Sequence, residues 1–167
     1  MIDLVENQSV IGGIIAISDN NVRSRIVAEL NAVIPGFEFV TAIHPRAVVA
    51  ADVVIGAGTV VMAGAVVNPG CQIGAHSVLN TNSSLDHDST LGACSSLAPG
   101  VAIGGGVNIG TNSAICIGAK ISHKVNVGSN CVVGAGAMVL CDIPNNQVFY
   151  GAPARFVRYH STGDSYL

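Results

Sequence analysis

Residues 55–79, IGAGTVVMAGAVVNPGCQIGAHSVL, carry an aliphatic side chain at every sixth position: Ile55, Val61, Val67, Ile73 and Leu79. Outward from there the series runs unbroken from Val49 to Val139, through Leu85, Leu91, Leu97, Ile103, Ile109, Ile115, Ile121, Val127 and Val133. An α-helix returns its apolar face about every 3.6 residues and an ordinary strand alternates faces every two, so neither produces this period. Six is the signature of a hexapeptide β-helix, in which short strands separated by turns stack about 4.8 Å apart through backbone hydrogen bonds.

The residue four positions after each aliphatic is usually small, as at Thr59, Ala65, Cys71, Ser77, Ser83, Ser89, Ser95, Ser113, Ala119, Cys131 and Ala137. Three hexapeptides closing a triangular coil stack residues eighteen apart, so Val48 to Ala137 makes five coils. The residue before each inward aliphatic then faces outward. One outward column reads Val60, Val78, Ser96, Ala114, Val132; a second reads Val54, Gln72, Thr90, Asn108, Asn126; a third reads Val48, Val66, Ser84, Ala102, Lys120, Met138. The first is an aliphatic stripe that fits a subunit contact in a homotrimer, or alternatively a surface covered by the chain's own C-terminus.

Composition agrees with this reading. Half of the 167 residues are hydrophobic but only 4% are aromatic, so the interior is filled by Val, Ile, Leu and Ala, while 20 Gly suit a chain with many tight turns. A net charge of −3 with seven Lys plus Arg leaves no electrostatic footprint for nucleic acid or an anionic membrane. No apolar run reaches the roughly 18 residues of a spanning helix, and no basic segment leads into a hydrophobic one at the N-terminus. Cys71, Cys94, Cys116, Cys131 and Cys141 form an odd set without CxxC pairs, which argues against a disulfide framework and a structural zinc site and fits a cytoplasmic location.

Before the repeats, Ile11–Ile17 is expected to form a short strand. Asn20 or Asn21 would cap a helix to about Ala32 with Val22, Ile26, Leu30 and Val33 on one face, ended by Pro35 and Gly36, with another strand near residues 37–42. After Val139 the period stops at residues 141–144, and residues 147–159 hold most remaining aromatics with Arg155 and Arg158. That segment is expected to cap the open end of the last coil and to offer its basic groups to an anion.

One turn breaks the pattern of small residues: Asp86-His87-Asp88 puts an imidazole between two carboxylates. Imidazole is suited to proton transfer near neutrality, and a carboxylate on one ring nitrogen orients it and raises its basicity, so His87 is a candidate general base; a solvent-facing turn is the alternative. Gly104-Gly105-Gly106 lies one coil above, where the missing side chains either open space over His87 or form a simple flexible turn. His123 stands two coils above His87, roughly 10 Å away, and His44, His76 and His160 fall in other columns, so no metal site is expected. No cysteine has a neighbouring base that would make it a nucleophile.

The chain resembles the left-handed β-helix acyltransferases with hexapeptide repeats, and among them the sugar O- and N-acetyltransferases that include sialic acid O-acetyltransferase and the enzymes acetylating nucleotide-linked 4-amino sugars. The resemblance covers about residues 11–158 and rests on His44-Pro45, Leu79-Asn80-Thr81, Asp86-His87-Asp88 and Gly151-Ala152-Pro153-Ala154. It implies a homotrimer with acetyl-CoA in a groove between subunits. His87 would be the base, Asp88 its support, Gly105 close to the thioester, and Ile117 and Gly118 part of the cofactor groove. It also implies direct attack on the thioester without an acyl-enzyme. Some members carry a second histidine nine residues after the catalytic one, near the acetyl carbonyl; Ser96 stands there in this chain and still offers a hydroxyl. The family's N-terminal α/β domain usually starts with a glycine-rich nucleotide-binding turn, whereas this sequence resembles only its last strand and helix, where Ala16–Asn20 and Arg23 could touch an acceptor.

The expected organisation is therefore a partial α/β acceptor-binding segment (residues 1–43), a β-helix acyltransferase domain (44–143) and a C-terminal cap and tail (144–167). The expected activity is acetyl transfer from acetyl-CoA to the amine of a nucleotide-linked amino sugar, with a histidine general base and no acyl-enzyme. The alternatives are O-acetylation of a sugar or serine-like hydroxyl, and a non-catalytic trimeric scaffold.

Overall fold

The computed structural model describes residues 12–161, 163 and 164, and the repeats wind as the left-handed parallel β-helix that the resemblance implies. Residues eighteen apart pair in parallel, as Leu85 does with Val67 below and Ile103 above. Every sixth residue from Gly58 to Gly136 has positive φ, which turns the chain at each edge of the prism and is why Gly, Asn and Asp fill so many of these positions. Three sheets result. An apolar face runs from Ala42–Ile43 to Val132–Val133, a mixed face from Val48–Val49 to Met138–Val139, and a polar face from Val54–Ile55 to Asn126–Val127.

The inward aliphatics from Val61 to Val139 are buried throughout, and the small residues between them are buried too. The small polar ones are satisfied in place: Ser89 Oγ donates to Gly104 O at 3.1 Å and accepts from Val107 N at 3.1 Å. A hydroxyl so placed ties successive coils together without leaving a polar atom unpaired in the core.

The repeat is longer than the series from Val49 suggests. Ala42–Ile43 already pairs with Val60–Val61, so Ile43 is an earlier member of the same period. At the other end the period does not stop but loses two residues. Ile143 bridges to Val127, sixteen residues back, and Phe149 pairs with Val133 at the same spacing; both are buried. Gln147–Tyr150 thereby extends the apolar face, and Arg155–Tyr159 folds back on it antiparallel as the cap. Of the basic groups expected to be available to an anion, Arg158 is in an ion pair, its Nη1 lying 3.0 Å from Asp164 Oδ2, while exposed Arg155 commits only Nη1, to Ala154 O.

Of the expected first strand, Ile11 lies outside the described residues and only Gly12–Gly13 is a strand, paired in parallel with Glu38–Phe39. The helix spans Asn20–Val33, but its N-cap is Asp19, whose carboxylate accepts from Val22 N at 2.9 Å. Neither Asn20 nor Asn21 caps it, because the Asn20 amide is used elsewhere: Nδ2 donates to Ser113 O and Oδ1 accepts from Arg23 Nη2. The docked face only partly coincides with the expected apolar one: Leu30 is buried and Val22 and Ile26 are half-buried, but polar Asn20 and Arg23 share the contact and Val33 does not. Asn20, Arg23 and Leu30 are buried while Val33 is 53% exposed. Arg23 donates to the carbonyls of His76 and Cys94 on the prism and to those of Ile17 and Ser18 on its own segment. It is a buried clamp, held by these carbonyls and by Asn20 Oδ1.

Candidate active site

His87 projects from the edge between the mixed and polar faces, in the turn joining Ser84–Leu85 to Thr90–Leu91. Its main chain is fixed first. The His87 N–H donates to Asp86 Oδ1 at 2.8 Å, the same oxygen accepts from Asn68 Nδ2 at 2.7 Å, and His87 O accepts from Gly106 N at 2.8 Å. These donors hold the Asp86 carboxyl below the usual carboxylate range. Asp88, at φ 57°, turns its side chain back so that Oδ2 lies 2.9 Å from His87 Nδ1.

That bond, and then the charge of Asp86, raises the His87 pKa above the ordinary imidazole value. With Nδ1–H donating to Asp88, the neutral ring keeps its lone pair on Nε2, the geometry of an oriented base. Both side chains are largely exposed, so the pair contributes orientation rather than fold stability.

The space over His87 is filled by the imidazole itself and is not left open. A Cβ built on Gly105 would lie 2.5 Å from His87 Nε2 and 2.7 Å from Cε1, so only glycine admits this ring position. From the coil above, His123 Nδ1 accepts from the Gly105 N–H at 2.9 Å. His87, Gly105 and His123 thus form one contiguous edge, which counting coils alone did not reveal because both side chains lean along the prism axis.

The other expected site residues lie elsewhere. Ser96 and Ile117 line a cleft of about 670 Å³ on the apolar face, and Gly118 occupies the adjoining turn at φ 67° with open space around it. In a triangular prism the mixed–polar edge is opposite the apolar face, so one chain does not bring His87 to this cleft. Three further lining residues are Ser18, from the Ala16–Asn20 stretch expected to touch an acceptor, Asn80, from the Leu79-Asn80-Thr81 motif, and Tyr150, whose ring covers Gly134 and which sequence reasoning did not pick out. Asn80 follows an inward leucine in the repeat and gave a faint signal; Tyr150 gave none, since its position depends on the two-residue loss before Ile143. The upper part of the aliphatic stripe, Ala114 and Val132, is buried within the chain, while Val60, Val78 and Ser96 remain partly open. The stripe is thus partly covered intramolecularly.

Residues 52–87 match the family described as bacterial transferase hexapeptide (six repeats). Among solved structures, a histidine-to-alanine mutant of GDP-perosamine N-acetyl transferase from Caulobacter crescentus, in complex with CoA and GDP-perosamine, is 34% identical, with TM-score 0.90 over 94% of this chain and 74% of that one. The acetyltransferase domain of PglB from Neisseria gonorrhoeae FA1090 is 35% identical, with TM-score 0.88 over 94% of this chain and 77% of that one. The chain belongs to the hexapeptide-repeat acetyltransferase family. The PglB domain in complex with acetyl coenzyme A is 37% identical, with TM-score 0.83 over 86% of this chain and 69% of that one. No curated protein sequence matches.

In this hexapeptide-repeat acetyltransferase, all five cysteines are free, and burial pushes the Cys116 thiol at the cleft wall up, away from the nucleophilic thiolate. Among the described residues no group of three or more His, Cys, Asp or Glu is placed to hold a metal ion, and no helix is long and apolar enough to cross a membrane.

Proposed function

We propose that this protein transfers the acetyl group of acetyl-CoA to the amine of a nucleotide-linked amino sugar, with His87 as general base and Asp88 orienting it. The observation that carries this reading is the 2.9 Å His87–Asp88 bond on an edge where Gly105 makes room for the imidazole. The relatives with bound CoA, GDP-perosamine and acetyl coenzyme A supply the substrate classes. His87 Nε2 takes a proton from the acceptor nitrogen as that nitrogen bonds to the thioester carbonyl carbon. The carbon–sulfur bond then breaks and the CoA thiolate leaves, to be protonated by His87 or water. Gly105 N–H is engaged by His123, so the Ser96 hydroxyl is the donor assigned to the acetyl carbonyl.

The separation of His87 from the cleft supports a homotrimer in which the His87 edge of one chain faces the Ser96–Ile117–Gly118 side of the next. The domain division at residues 44 and 143, with residues 1–43 contributing to acceptor binding through Ser18, belongs to the same reading. Thiol release from acetyl-CoA, measured with GDP-, UDP- and dTDP-linked amino sugars, free amino sugars and serine, tests it. Turnover with a nucleotide-linked amine that is lost in His87→Ala is expected; turnover indifferent to that substitution overturns the assignment.

A further inference from the structure

The chain has only two lysines, Lys120 and Lys124, and both lie beside His123 on the edge that carries His87. Lys120 pairs in register with Ala102 on the mixed face. Lys124 follows in the turn, its N–H donating to Gly105 O at 2.9 Å. Lys120, His123 and Lys124 are all exposed. Among the described residues neither lysine is in an ion pair. The carboxylate of the turn above, Asp142, is occupied by the Asn126 N–H at 2.7 Å and its Nδ2 at 3.3 Å. Asp86 and Asp88 stand below at His87, bound to Asn68 and His87.

Two features show that this is more than a solvated surface. Lys124 has φ 60°, at a turn position that other coils fill with Gly, Asn, Asp, His or Cys. A long side chain held there carries backbone strain that glycine would relieve. His123 accepts through Nδ1 from Gly105, so its proton sits on Nε2, giving a third donor next to the two ammonium groups.

We infer that Lys120, His123 and Lys124 form a phosphate-binding site for a substrate whose other end reacts at His87. This rests on the acetyl-transfer reading, because both substrate classes it names carry phosphates at a distance from their reacting atom. The site lies roughly 10 Å along the edge from His87, two coils away, and it takes a diphosphate or phosphomonoester through point charges that tolerate varied geometry.

The test is calorimetric binding of CoA and of a GDP-linked amino sugar to wild type, to Lys120→Ala/Lys124→Ala and to Lys124→Gly, each beside its phosphate-free counterpart, S-acetylpantetheine or the free amino sugar. Affinity for one of the phosphate-bearing ligands is expected to fall on the order of tenfold per lysine removed, with the counterpart unaffected. A loss confined to CoA assigns the site to the cofactor phosphates; a loss confined to the nucleotide sugar assigns it to the acceptor diphosphate. Lys124→Gly is expected to raise Tm while weakening binding, a combination that surface charge alone does not produce. Equal affinities of wild type and the double variant for both ligands overturn the site and leave acetyl transfer standing. Wild type binding neither ligand overturns both.

Discussion

Gly105→Ala isolates the packing on which the proposed base depends. A Cβ at residue 105 would sit 2.5 Å from His87 Nε2, where ordinary contact begins at 3.4 Å. The ring must therefore move by about 0.9 Å (3.4 − 2.5) or leave Asp88. A misplacement of about 1 Å in a catalytic group costs roughly 10²-fold in rate, and loss of the Asp88 bond adds to this by freeing the ring. The fold is affected little, because Gly105 is not among the glycines at positive φ and Gly→Ala at a compatible backbone changes stability by about 0.4–1 kcal/mol. Thiol release by purified Gly105→Ala beside a thermal melt gives both readings at once. A kcat within twofold of wild type would refute the argument that glycine is needed to seat the imidazole. A Tm collapse would show that residue 105 matters to the fold and not to the ring.

Asp88→Asn removes the acceptor that raises the His87 pKa. The acid limb of the pH–rate profile is expected to move to lower pH, because the base form then appears earlier, while kcat falls as the ring loses its orientation; an unmoved limb contradicts the assignment. Arg23→Met leaves the His76 and Cys94 carbonyls without their guanidinium partner, and denaturant titration is expected to show a loss of about 2–4 kcal/mol. Two inactive variants, His87→Ala and Ile117→Trp, are expected to recover activity when their subunits are mixed and reassembled. A threefold-symmetric site built from two chains then has an intact histidine and an open cleft in roughly a quarter of cases. No recovery places base and cleft in one chain.

Much of the prism was legible because each inward position repeats one simple requirement, an aliphatic group followed by a turn. His87 and Asp88 were legible for the same reason, as the point where that requirement is replaced by chemistry. What escaped depends on side chains or phase. The helix docks through Arg23 and Asn20 as well as Leu30, so its apolar pattern marked only part of the buried face. Ile143 and Phe149 continue the core two residues out of phase, which a strict count of six discards. The link from His123 to Gly105 comes from a ring leaning down the axis, and the regular spacing of coils carries no information about that lean.

The most direct measurement is mass spectrometry of the acceptor after incubation with acetyl-CoA and a GDP-linked amino sugar, for wild type and His87→Ala matched in fold by circular dichroism. An acetylated amine with wild type and none with His87→Ala is the expected result. Equal acetylation by both proteins, or acetyl found on the protein in place of the sugar, would contradict direct transfer by a histidine base.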